Sequence, residues 1–92
     1  MIVRIATEGQ YRLDSNYLDM LNSLDNEIVE AIAREDQGRY ATLLKDMLAL
    51  VRDHGEPVPP DEIVESHVVL PPPDCTFEDA IHIFSGEGII PG

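Results

Sequence analysis

The chain opens on Ile2, Val3 and Ile5 around Arg4, and resumes after Thr7-Glu8-Gly9 with Gln10-Tyr11-Arg12-Leu13. Alternation with period two predicts β-strands near residues 2–6 and 10–13. The intervening residues suit a hairpin in which Gly9 supplies a positive-φ position. Val3 and Ile5 then share a face with Tyr11 and Leu13. A two-stranded hairpin alone is marginal in water, so a second layer must cover that face.

From Tyr17 the period changes. Tyr17, Leu21, Leu24, Ile28 and Ala31 follow one another at steps of four and three, the seam of an amphipathic helix near 16–34. Asp14 or Ser15 is its expected N-cap, Leu18, Val29 and Ile32 widen the seam, and Asp19, Asp25, Glu27 and Glu30 interrupt it. Tyr40, Leu44, Met47 and Val51 predict a second helix near 37–53, with Leu43, Leu48 and Leu50 beside the seam. His54-Gly55 is its expected stop, with Gly55 as a left-handed cap. The connection Arg34–Asp36 is so short that the helices must run antiparallel. The expected core is Leu21, Leu24, Ile28, Leu44, Met47 and Val51, backed by Val3, Ile5 and Val69.

Proline then takes over. Pro57-Val58-Pro59-Pro60 excludes helix interior and central strand. A strand near 66–70 is expected beside the hairpin, in a three-stranded sheet, and Pro71-Pro72-Pro73 ends it. Thr76-Phe77-Glu78-Asp79 is a hydroxyl cap with an acid three residues on, opening a helix near 77–84 with Phe77, Ala80, Ile81 and Phe84 as its apolar side. Ile89-Ile90 in the tail must dock somewhere. The expected fold is α+β: an N-terminal β-hairpin and a third short strand packed on an antiparallel helical hairpin, with a short C-terminal helix. It is one domain, 1–92, in which 56–92 forms an acidic, proline-rich strap on 1–55.

Charge narrows the function. Six Lys and Arg against 18 Asp and Glu give a net charge of −12. All six bases and ten acids lie in residues 1–55, whereas residues 56–92 carry eight acids, seven prolines and no base. Such a field repels phosphate backbones and anionic lipid, so nucleic-acid binding and direct membrane docking are not expected. No run approaches the roughly 20 apolar residues of a membrane span. The start Met1-Ile2-Val3-Arg4-Ile5 has neither the basic opening nor the apolar run of a signal peptide, and Cys75 is a lone cysteine, which together point to the cytoplasm.

Candidate chemistry is sparse. His54, His67, His82 and Cys75 lack the close pairing of a zinc site, and read as surface or cap histidines and a small buried thiol. Cys75 and the serines sit in no nucleophile signature, and Gly86-Glu87-Gly88 has no strand before it or helix after it to make a phosphate loop. No catalytic, cofactor or metal residue is expected, so a small hydrolase stands only as a distant reading. The helix stripes read as core, while their apolar flanks suit a partner helix or a second copy, making a homodimer the principal alternative.

Six segments carry a family resemblance: Met1–Ile5, Glu8-Gly9-Gln10-Tyr11-Arg12-Leu13-Asp14, Leu21-Asn22-Ser23-Leu24-Asp25, His54-Gly55-Glu56-Pro57, Val69-Leu70-Pro71-Pro72 and Gly86-Glu87-Gly88-Ile89-Ile90-Pro91-Gly92. They resemble the PspA-associated protein family, PspAA. The resemblance implies a cytoplasmic partner or regulator of PspA, a long helical coiled-coil protein of the envelope-stress response that works at the inner face of the membrane. It implies no catalytic residues. An acidic module complements a basic, lipid-seeking partner, and the carboxylates expected to meet it are Glu27 and Glu30 on the first helix and Glu62, Glu65, Glu78 and Asp79 in the strap.

Overall fold

A computed structural model describes residues 1–62 and 64–84. Strands β1 (Ile2–Ile5) and β2 (Gly9–Arg12) pair antiparallel with Val3 opposite Tyr11 and Ile5 opposite Gly9. Between them the Glu8 amide donates to the Ile5 carbonyl at 3.0 Å, and Thr7 at the third position has φ 75°. That is the type II pattern, which favours glycine where this chain has a β-branched residue. Gly9, with φ 118°, supplies the expected positive-φ position.

A single 3-10 turn, Ser15–Tyr17, leads into α1 (Leu18–Ala33), and Asp14 caps it by accepting from the Asn16 amide. Helix α1 ends in a Schellman motif: the Asp36 amide reaches the Ala31 carbonyl and the Glu35 amide reaches Ile32, with Glu35 left-handed at φ 57°. Asp36 then caps α2 (Gln37–His54) by accepting from the Arg39 amide. Two caps and one left-handed residue thus reverse the chain within three residues, and the helices pack antiparallel as expected.

Gly55 departs from expectation. It is extended (φ −88°, ψ 155°), not left-handed. Its need for glycine is steric, because a Cβ there would lie 2.5 Å from the Val51 carbonyl oxygen and 3.0 Å from Tyr11 Cβ. The chain leaves α2 against β2 and forms β3 (Glu56–Pro57), an edge strand absent from the sequence expectation. The sheet therefore has four strands in the order β3-β2-β1-β4, with β4 (Val68–Leu70) parallel to β1. Going from one edge to the other, the strap crosses the face opposite the helices. There Gln10 Nε2 donates to the Val64 carbonyl (3.0 Å) and Ser66 Oγ (2.7 Å), and Arg12 holds Glu62. His67 is tied to Ile2 both ways, its amide donating to the Ile2 carbonyl and its Nδ1 accepting from the Ile2 amide.

The core joins the two layers. Val3, Ile5, Leu13, Val68 and Leu70 meet Leu21, Ile28, Leu44, Met47 and Val51, and Ala80 of α3 (Phe77–Ile83) and Phe84, which caps that helix, close one side. Thr76 caps α3 as its pattern implied, accepting from the Asp79 amide. Three core assignments need correction. Val69 is 54 % exposed, because parallel pairing sets it opposite Arg4 on the outer face and turns Val68 and Leu70 inward. Leu24 is only partly buried, at the rim between the helices. Asp25, assigned to the polar interruptions of α1, is wholly buried at 0 % exposure, one turn from Leu21 and beside Ile28. Burial of a carboxylate requires partners, and no buried side-chain oxygen or nitrogen among the described residues lacks one. The tail with Ile89 and Ile90 lies outside the described residues.

Candidate partner-binding surface

The six carboxylates singled out in the sequence fall into two groups. Glu27 accepts from Arg39 Nη2 at 3.1 Å, and Glu30 pairs with Arg34 at 2.7 Å in the last turn of α1. Glu78 and Asp79 occupy the first turn of α3, where acids favour the positive end of the helix. Tyr40 places that turn: its hydroxyl donates to the Cys75 carbonyl at 2.9 Å, and its ring meets Phe77 edge-on at 5.8 Å. These four acids therefore gather at the turn end of the helical hairpin. Glu62, 2.6 Å from Arg12, and exposed Glu65 lie instead on the strap across the outer face of the sheet. Three of the six already meet an arginine, and each such pair is exposed, so each contributes at most about 1 kcal/mol.

Other titratable groups are structural. Glu8 at the hairpin turn pairs with Arg52 near the end of α2, Nε to Oε1 at 2.8 Å with a second contact through Nη2. This hydrogen bond holds the Glu8 carboxyl below its ordinary value. Burial, then the neighbouring Cys75 side chain, pushes the Tyr40 hydroxyl well above its ordinary range. His54 stacks on Tyr17 with centroids 4.6 Å apart, which joins the start of α1 to the end of α2. Cys75, His82 and Asp79 line one shallow hollow beside α3. Among the described residues no three His, Cys, Asp or Glu side chains come together in a group that could hold a metal ion.

The sequence reading missed a groove of about 490 Å³ between α1 and α2. Met20, Ser23 and Leu24 line it from α1, and Asp46, Ala49, Leu50 and Asp53 from α2. At 100° per residue, Asp46, Ala49 and Asp53 lie on the opposite side of α2 from Leu44, Met47 and Val51, so the groove opens away from the sheet. Met20 is 53 % exposed there. Lys45 and Arg52, one residue before each aspartate, line a different hollow on the other flank of α2 together with Pro73 and Cys75. Between residues 45 and 53, α2 thus separates its charges by side and the groove receives only the negative ones, while Arg39, seven residues before Asp46 on the same side, is held by Glu27. A signal was present: acids seven residues apart around a small and a large apolar residue mark a helix face too apolar to be plain solvated surface.

No helix among the described residues is long and apolar enough to cross a membrane. Comparison with curated proteins and with solved structures gave no match. The family comparison did: the model of the PspA-associated protein, PspAA, matches residues 1–92, and its description names association with PspA. With all 92 positions of the chain inside that match, the protein belongs to the PspA-associated protein family.

Proposed function

We propose that this protein is a non-enzymatic partner or regulator of a PspA-type coiled-coil protein in the envelope-stress response, acting by protein–protein contact in the cytoplasm. The observation that carries this reading is the family match over residues 1–92. The surface chemistry agrees with it. A net charge of −12 suits a partner whose own surface is basic enough to seek anionic lipid. Glu27, Glu30, Glu78 and Asp79 at one end, and Glu62 and Glu65 on the strap, steer that partner toward the molecule.

Electrostatic steering raises the encounter rate and fades as salt shortens the Debye length, about 8 Å at physiological ionic strength. Association of the purified protein with the PspA-type protein of the same cell is to be measured at low and high salt. Two variants accompany it, one carrying Glu27→Gln and Glu30→Gln, the other Glu62→Gln, Glu65→Gln, Glu78→Gln and Asp79→Asn. Binding that is faster at low salt, and slowed in at least one variant, is the expected outcome. Rates indifferent to salt in every variant reject the steering role. Absence of any complex, with the protein found only as its own dimer, rejects the partnership in favour of self-assembly.

A further inference from the structure

We infer that the groove between α1 and α2 is the seat of one amphipathic helix of the partner, with apolar residues entering the groove and basic residues meeting Asp46 and Asp53. This rests on the partnership proposed above and names the surface and the chemistry it takes. The floor is shaped for a helix: Ser23 and Ala49 are small and lie on facing helices, so a third backbone can approach to the 8–10 Å of ordinary helix packing. Leu24, Leu50 and the exposed Met20 supply apolar contact along the walls. Methionine adapts its shape to the side chain it receives.

Charge selects the occupant. Asp46 and Asp53 are seven residues apart, about 10.5 Å along α2, and no basic residue lines the groove. A helix packed alongside with Lys or Arg at positions i and i+7 of its flank matches both carboxylates, while its apolar stripe covers the groove. A second copy of this chain fits poorly, since a two-fold contact through the groove brings Asp46 and Asp53 of one copy against those of the other. The chain's own tail has the wrong sign too, as its only charged side chain after Asp79 is Glu87.

The test titrates the ¹⁵N-labelled full chain with two probes. The first is a synthetic 21-residue helix with leucines at heptad a and d positions and two lysines seven residues apart, compared with a version carrying glutamates in place of those lysines. The expected result is amide shifts at Met20, Leu24, Asp46 and Ala49, with the lysine helix binding at least tenfold tighter. Asp46→Asn with Asp53→Asn should remove most of that preference, and Ala49→Gln, a good helix former that fills the groove, should weaken binding at least tenfold without altering the melt. Equal binding of both helices, or shifts confined to another surface, would overturn the inference. So would groove shifts that depend only on protein concentration, or that appear on deleting residues 85–92, since a second copy or the tail would then be the occupant. The second probe is the PspA-type protein itself. If it binds the parent and Ala49→Gln equally, the groove is not the contact and the partnership stands. If it binds neither, the partnership fails and the lysine helix alone decides what the groove accepts.

Discussion

Two of the described residues hold backbone conformations at odds with their side chains. Thr7 sits at φ 75° in the β1–β2 turn and Glu35 at φ 57° in the Schellman motif after α1. The left-handed region costs an L side chain about 1–2 kcal/mol, and glycine gives back about 0.4–1 kcal/mol of that through unfolded-state entropy. Thr7→Gly and Glu35→Gly should therefore each stabilise by up to about 1 kcal/mol, several degrees in a domain of this size, with the larger gain at the β-branched position. Thermal melts that fall in both variants would show these residues to be held by contacts worth more than the strain. Glu8 carries a pH signature. Its pairing with Arg52 lowers the folded carboxyl below the ordinary 4.5, so it contributes stability above that pH and the contribution is lost as pH falls through the lowered value. The pair is surface-exposed, which limits the effect to about 0.2–1 kcal/mol. Glu8→Gln should lower stability at pH 7 by that much and match the parent once acid has protonated Glu8, as urea melts between pH 7 and pH 2.5 would record.

At the scale of elements, Tyr40 joins α2 to the segment that delivers α3. Tyr40→Phe keeps the ring contact with Phe77 but leaves the Cys75 carbonyl without its donor, at a cost of about 1–3 kcal/mol. Because burial raises the folded hydroxyl above its ordinary 10.0, the parent loses stability as pH rises past that value, where the unfolded tyrosine ionises. The variant should lack that share of the alkaline loss, and parallel pH profiles for parent and variant would refute the assignment. Elements marked by local chemistry were legible in the sequence: the Asp14 and Thr76 caps, the two helical periods and the short antiparallel connection. What was not legible depends on distant partners. Val68-Val69-Leu70 is apolar throughout, so nothing local says which two side chains face inward; pairing with β1 decides. Glu56-Pro57 reads as loop until β2 lies beside it. Asp25 and Leu24 flank the Leu21–Ile28 line on opposite sides of the helical wheel, about 100° apart, and only the angle at which α1 meets its neighbours decides that the aspartate is buried and the leucine left at the rim. The groove escaped for the same reason, since it belongs to two helices and to neither alone.

The whole molecule is held together across its two sequence halves and pushed apart by its charge. Val68, Leu70, Ala80 and Phe84 complete the core built by residues 1–55, and β4 covers the edge of β1. Residues 1–55 alone should therefore show helical signal without a cooperative melt, while the full chain melts in one transition seen alike by far- and near-ultraviolet dichroism. A cooperative melt of 1–55 at the parent's temperature would make the strap an appendage. Folding also brings a strap of net charge −8 onto a body of net charge −4. Four exposed ion pairs, Arg12–Glu62, Arg34–Glu30, Arg39–Glu27 and Arg52–Glu8, oppose that repulsion among the described residues, but only the first and last join distant parts of the chain. Salt screens both terms. Each pair contributes at most about 1 kcal/mol, whereas the unbalanced acids repel across the entire surface. Screening should therefore relieve more than it removes, and the melting temperature should rise as sodium chloride increases from 10 mM to 500 mM, most steeply at the low end where the Debye length shrinks fastest. A fall over that range would mean that the ion pairs outweigh the repulsion. A rise has a consequence for function: a basic partner helix seated against Asp46 and Asp53 would relieve the same repulsion, so binding should protect this fold most at the low salt where the free protein is weakest.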